Sequence, residues 1–94
     1  MNICPKEISK LAQYLVVMEV PFEAHPLFDG YQIRVNIPTM DWDAICHSYS
    51  YGHEAGLLEI MGSIVDEETV GDEVEGWLTA EEIAMRVKKI IEAN

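Results

Sequence analysis

Three histidines, two cysteines and 17 acidic residues in a chain of 94 are the side chains that could do chemistry here, and their spacing decides which chemistry is open to them. His25, His47 and His53 show neither HxxxH nor HExxH spacing, so zinc has no local signature. His25 and His47 would approach each other only across neighbouring strands, with Glu23 or Glu59 beside them. Surface histidines without a ligand are the simpler reading, and no metal or other cofactor is expected. Cys46 and His47 are consecutive, and consecutive strand residues point to opposite faces, which rules out a local nucleophile–base pair. Neither a GxSxG elbow nor a Gly-rich phosphate loop occurs. Asp66-x-Glu68-x-Val70-Gly71 places glycine at the sixth position of a calcium loop. Val70 replaces an oxygen ligand there, however, and Trp77 stands where the bidentate glutamate belongs. No catalytic residue is singled out, so the expectation is a protein that is not an enzyme.

The pattern that remains is electrostatic. Between Arg34 and Arg86 there is no lysine or arginine but twelve acids, which account for most of the net charge of −11. The density peaks in Asp66, Glu67, Glu68, Asp72, Glu73 and Glu75, the residues expected to form a protein-binding acidic cluster. A field of that sign repels phosphate backbones and anionic lipid and attracts basic proteins. The expected partner is therefore a protein with a basic surface, without direct nucleic-acid or membrane binding. For any one of these acids, a solvated loop that only keeps the chain soluble is an equally good account.

Positioning these groups takes one domain over residues 1–94, with 49% hydrophobic residues, too many for a disordered chain. No apolar run approaches the roughly 20 residues that span a bilayer. The start lacks a secretory-signal pattern, and Cys4 and Cys46 form no CxxC. Reduced thiols in a cytoplasmic protein follow, with Cys46 buried as a small hydrophobe.

Pro5 suits a helix start. Ile8, Leu11, Ala12 and Leu15, extended by Val16, form its apolar stripe, and Val20-Pro21 ends it. Asp29-Gly30 predicts a type I′ hairpin turn that pairs Phe28 with Tyr31 and sets His25 opposite Arg34. Pro26 then requires an edge strand. A third strand is expected at Ala44–Ser50, with a helix over Trp42–Tyr49 as its competitor, then a turn at Tyr51–Gly56 and a fourth strand at Leu57–Ser63. Ile64–Leu78 reads as a long acidic connection in which Val70, Val74 and Trp77 recur at helical spacing. Thr79 and Glu82 make a capping box for a final helix with Ile83, Ala84, Val87, Ile90 and Ile91 on its buried face. The predicted fold is α+β in the order α-β-β-β-β-α, a four-stranded antiparallel meander with both helices packed on one face.

If Ala44, Cys46 and Ser48 face the helices, then Ile45, His47, Tyr49 and Tyr51 emerge on the open sheet face beside His25 and Arg34. His25, Arg34, His47, Tyr49 and Tyr51 would form a contact or ligand surface, since tyrosine, histidine and arginine offer large area at low entropic cost. The opposite orientation sends Ile45, Tyr49 and Tyr51 into the core. Trp42, between Asp41 and Asp43, reads equally as an exposed anchor or as a lid on the core edge.

Three stretches, Phe28-Asp-Gly-Tyr-Gln-Ile33, Ser50-Tyr-Gly-His-Glu-Ala-Gly-Leu-Leu-Glu-Ile-Met-Gly62 and Gly76-Trp-Leu-Thr-Ala-Glu-Glu-Ile83, together resemble small proteins encoded by phages, prophages and other mobile elements of Gram-positive bacteria. That group has no assigned activity, so the resemblance implies a setting, the bacterial host cytoplasm, and no site residues. The leading expectation is a non-enzymatic accessory protein that binds a host or phage protein, for instance by occupying a nucleic-acid-binding surface with carboxylates that mimic phosphates. The alternatives are a small-ligand-sequestering protein that uses the Tyr/His/Arg face, and a structural homo-oligomer. A homodimer is compatible with all three.

Overall fold

Apolar periodicity dictates the two helices and the turns between alternating runs dictate a meander. The computed structural model describes residues 5–66 and 73–93. Helix α1 (Pro5–Val17) is followed by strands β1 (Glu23–Leu27), β2 (Gly30–Ile37) and β3 (Met40–Cys46), a single 3-10 turn at His53–Ala55, strands β4 (Leu58–Gly62) and β5 (Val74–Leu78), and helix α2 (Ala80–Ala93). The sheet is antiparallel throughout, in the order β1-β2-β3-β4-β5. The fold is α+β as expected, with five strands instead of four.

The fifth strand lies inside the stretch read as an acidic connection. Val74, Glu75, Gly76, Trp77 and Leu78 do not alternate as a strand should, and the reason is a bulge. Leu58 pairs with Leu78 while Ile60 pairs with Glu75, so β5 carries one residue more than β4 across this step. The extra residue lets Leu78 and Glu75 both face the helices, where strict alternation would have turned one of them away.

Two further expectations are corrected by one glycine. Leu27 pairs with Gly30 and Pro26 with Tyr31, so the two-residue turn is Phe28-Asp29, and the register is shifted by two from the Asp-Gly reading. His25 is consequently opposite Gln32, and Glu23 is opposite Arg34. Gly30 is needed elsewhere: a Cβ there would lie 1.7 Å from the Cys46 carbonyl oxygen, so only glycine lets β3 come this close. The cost falls on Phe28, which takes the left-handed φ of 54°. The expected placement of β1 at the sheet edge holds, and Pro26 therefore breaks no ladder.

Strand β3 begins at Met40 and ends at Cys46, four residues earlier than expected at each end, and no helix forms over Trp42–Tyr49. Its inward side carries Met40, Trp42, Ala44 and Cys46, all buried. Trp42 is thus neither an exposed anchor nor an edge lid; it is 1% exposed among Ile33, Val35, Leu58 and Ile60 in the core. Its Nε1 has no hydrogen-bond partner among the described residues. Burying an indole removes roughly 150–250 Å² from water, about 4–6 kcal/mol of transfer free energy, which exceeds the about 1–3 kcal/mol cost of an unpaired donor.

Leu11 and Leu15 of α1 and Ile83 and Val87 of α2 close this core from one side of the sheet. Val16 and Ile91, expected on the buried stripes, are 64% and 40% exposed. Glu19 ends α1 in a left-handed conformation (φ 59°), with the Val20 N–H donating to the Leu15 carbonyl at 2.9 Å and the Glu19 N–H to Val16 at 3.1 Å, a Schellman closure. The capping box forms as expected: the Glu82 N–H donates to Thr79 Oγ1 at 3.2 Å and the Thr79 N–H to Glu82 Oε1 at 3.1 Å. Glu7 of α1 adds a second cap, accepting the Ala80 N–H at 2.8 Å, a negative charge where the α2 dipole favours one. Cys46 is wholly buried, as expected, but it is disulfide-bonded and not a free thiol. Its Sγ lies 3.3 Å from the Leu57 carbonyl, a contact in which a sulfur without a proton donates nothing. The only other cysteine, Cys4, lies outside the described residues.

Candidate functional site

Of the acidic cluster, Glu67, Glu68 and Asp72 lie outside the described residues. Asp66 and Glu73 are exposed. Glu75 is turned away from solvent: Arg86 Nη1 and Nη2 of α2 donate to its two carboxylate oxygens at 2.6 and 2.5 Å, and the Asp66 N–H adds a bond at 3.2 Å. Its side chain is 12% exposed. The Arg86 guanidinium holds the Glu75 carboxyl below its ordinary range. Glu75 therefore forms a structural ion pair tying β5 to α2.

The expected open-face surface also divides. Ile45 does lie on the open face, opposite Gln32 and Glu59, and Arg34 is there too, but its guanidinium is engaged by Asp41 at 2.9 Å. His25 is exposed at the edge, with Nδ1 3.4 Å from its neighbour's carbonyl. His47, Tyr49 and Tyr51 do not emerge on that face. They belong to the β3–β4 loop at the end of the sheet, because β3 stops at Cys46.

At that end a different constellation assembles. The Phe28, His47 and Tyr49 rings meet edge-to-face, with centroids 5.1, 5.7 and 5.9 Å apart. Phe28 and Tyr49 are nevertheless 75% and 78% exposed, while His47 beneath them is 6% exposed. Tyr51, two residues on, is 64% exposed, and its carbonyl accepts the N–H of Trp77, itself 54% exposed. A Cβ on Gly76 would stand 2.4 Å from the Tyr51 Cβ, so a glycine here lets the loop seat on β5. Four exposed aromatic side chains thus sit on adjoining segments of one tip, drawn from the β1–β2 turn, the β3–β4 loop and β5.

The tip is held from below by polar groups. His47, Ser50 and Glu59 are the buried polar residues among those described, and all three support it. The Tyr49 N–H donates to His47 Nδ1 at 3.0 Å, which puts the ring proton of the neutral imidazole on Nε2. Ser50 Oγ donates to the His47 carbonyl at 2.9 Å and accepts the His47 N–H at 3.0 Å, so the hydroxyl serves the loop backbone and is not aimed at a base. Glu59 accepts the Tyr51 N–H at 2.9 Å. His53 Nδ1 donates to the Ser50 carbonyl at 2.6 Å. The Ser48 N–H donates to Asp29 Oδ1 at 2.9 Å, clipping the β1–β2 turn to the loop and holding the Asp29 carboxyl below its ordinary range.

Backbone strain marks the same place. Phe28 (φ 54°) and Trp77 (φ 62°) are, with the helix-terminal Glu19, the non-glycine residues in the left-handed region among those described. An aromatic residue held there costs of order 1–3 kcal/mol and persists only where its surroundings impose it. Both strained aromatics are tip residues. The sequence pattern marks neither as a binding residue: it places Trp77 in the acidic connection and Phe28 at a strand end. A cue was present only as a scatter of Phe28, Tyr49, Tyr51 and Trp77 around turn residues. Among the described residues no three histidine, cysteine or acidic side chains converge as a metal site would require, and no helix is long and apolar enough to cross a membrane. Comparison of the chain with protein-family models, with curated proteins and with solved structures finds no match.

Proposed function

We propose that this chain is a non-catalytic protein-binding domain whose aromatic tip engages arginine and lysine side chains of a basic partner. The carrying observation is the exposure of Phe28, Tyr49, Tyr51 and Trp77 at one end of the sheet, with Phe28 and Tyr49 in ring contact and the Tyr51 and Trp77 backbones hydrogen-bonded, on an internally hydrogen-bonded support. Aromatic anchors dominate binding energetics at protein interfaces, and their faces attract guanidinium and ammonium groups. Asp29 and Glu54 stand exposed on the same turns, and no lysine or arginine occurs between Arg34 and Arg86 to compete. The acidic residues Asp66 and Glu73 then steer a basic partner toward the molecule, a long-range role that salt weakens. The phage or prophage setting and the role as inhibitor of a nucleic-acid-binding protein belong to this proposal. A reducing cytoplasm is the part that the disulfide at Cys46 opposes, since thiols there are kept reduced; thiol labelling in intact cells decides it.

The test uses short arginine-rich and lysine-rich peptides, with acidic peptides of equal length as controls, titrated at low and high salt and followed by isothermal titration calorimetry. Salt-sensitive binding of the basic peptides, lost on Tyr49→Ala and Trp77→Ala with the melting temperature retained, supports the reading. Binding indifferent to both substitutions, or none at low salt, ends it.

A further inference from the structure

The helical layer carries a second surface that the tip does not use. Tyr14, Val17 and Met18 of α1 and Ala84, Met85 and Lys88 of α2 line an apolar groove of about 430 Å³ on the outer side of the two helices. Val17 is 80% exposed and Met85 56%. We propose that this groove is the interface of a homodimer, with α2 of one copy packed antiparallel on α2 of the other about a two-fold axis at Met85.

Charge selects both the face and the orientation. The helices hold five of the six basic residues (Lys6, Lys10, Arg86, Lys88 and Lys89) against four of the 17 acids, a net +1, while the rest of the chain carries −12. Two copies meeting through the sheet, the tip or the β4–β5 connection would press like charge on like. The helical layer is the side on which they can approach without that repulsion.

Along α2 the charges are also segregated. Glu81 and Glu82 lie in the first turn, and Lys88 and Lys89 lie seven residues further, about 10 Å along the axis. A two-fold interface brings one patch against its own copy, so the patch must be self-complementary. Antiparallel packing centred on Met85 sets Glu81 against Lys89 and Glu82 against Lys88 of the second copy, twice over, and opposes the two helix dipoles favourably. Parallel packing would set acid on acid and base on base. Ala84 beside Met85 is small enough for the helices to approach closely. Glu81 already receives the Tyr14 hydroxyl at 3.2 Å and Lys10 at 3.7 Å, but its side chain is 51% exposed and can accept another cation. Lys88 and Lys89 make no ion pair among the described residues. The dimer leaves Phe28 and Tyr49 uncovered, so it stands or falls apart from the function proposed above.

Sedimentation velocity and native mass spectrometry of the full chain test this, using wild type, Met85→Asp, Lys89→Glu and Glu81→Lys. These side chains are exposed, so melting curves should show folded variants, and Glu82 of the capping box stays intact. The expected wild-type species is a dimer of twice 10.6 kDa. Each variant alone should lose at least about tenfold in dimer affinity, and mixing Lys89→Glu with Glu81→Lys should restore it, because both cross-pairs again join opposite charges. A wild-type chain that remains monomeric at every concentration, with the groove open to some other occupant, overturns the proposal. So does a dimer that survives Met85→Asp and Lys89→Glu, since it would form through another surface.

Discussion

Arg86 grips Glu75 through one hydrogen bond to each carboxylate oxygen, at 2.6 and 2.5 Å, and also donates to the Ile64 carbonyl at 3.1 Å. One side chain of α2 thereby fastens the bulged strand β5 and the chain leaving β4. The bulge turns Glu75 inward and leaves Trp77 outward, so the ion pair and the exposed tip are two consequences of the same extra residue.

Replacing Glu75 by Gln should destabilise the fold by about 1–3 kcal/mol, the usual worth of hydrogen bonds to a charged, largely buried group. Arg86→Met should cost a similar amount. The pair Glu75→Gln/Arg86→Met should cost clearly less than the sum of the two, because neither charge is then left without its partner. Urea unfolding of the four proteins measures the coupling; simple additivity would mean that the ion pair contributes no coupling to stability.

The same pair sets the acid limb of stability. Its folded carboxyl titrates below the ordinary 4.5, so its contribution is complete above pH 4.5 and is lost as pH falls through the depressed folded value. Asp29, lowered from 3.8 by the Ser48 N–H, acts in the same direction at lower pH. Stability should therefore fall on acidification, and the slope below pH 4.5 should flatten in Glu75→Gln. An unchanged slope in that variant would assign the acid sensitivity to other carboxylates.

Gly30 and Phe28 should respond in opposite senses. Gly30→Ala forces a methyl group to 1.7 Å from the Cys46 carbonyl oxygen, a backbone clash that should cost more than about 4 kcal/mol, in the range reserved for severe lesions. Phe28→Gly relieves a left-handed φ of 54°. Its stability should stay within about 1 kcal/mol of wild type or rise, while binding of basic peptides weakens. Thermal melts paired with the peptide titration separate the two effects.

The two tryptophans should be distinguishable in solution. Trp77 is 54% exposed and Trp42 1%, so a collisional quencher should reach one indole and spare the other. The negative field should admit caesium more readily than iodide, with the gap closing as salt is added. Equal quenching by both ions at low salt would mean that the tip carries no net negative potential.

Local rules carried much of this fold. The capping box of Thr79 and Glu82, the apolar stripes of both helices apart from Val16 and Ile91, the edge position imposed by Pro26 and the inward orientation of Ala44 and Cys46 depend on residues close in sequence or on strand alternation, and each appears as read. The site was less legible. The His47 and Tyr49 rings meet at the end of the sheet and not on its open face, because the end of β3 is set by partners in β2 and β4 and not by its own composition.

By itself the sequence determined the α+β class, the meander, the helix faces and a charge distribution that leaves nearly all basic residues on the helices, since periodicity, capping and formal charge are local properties of the chain. Only the tertiary structure decided where Gly30 spends its freedom, that β5 exists, that Glu75 is neutralised by Arg86, and that exposed Phe28, Tyr49, Tyr51 and Trp77 share one end of the sheet. The physical reason is the same in each case: a close backbone approach (Gly30 to Cys46), a bulge (between Leu58 and Leu78) and an ion pair (Glu75 to Arg86) join residues 11 to 20 positions apart, and such contacts leave no pattern in either partner's neighbourhood.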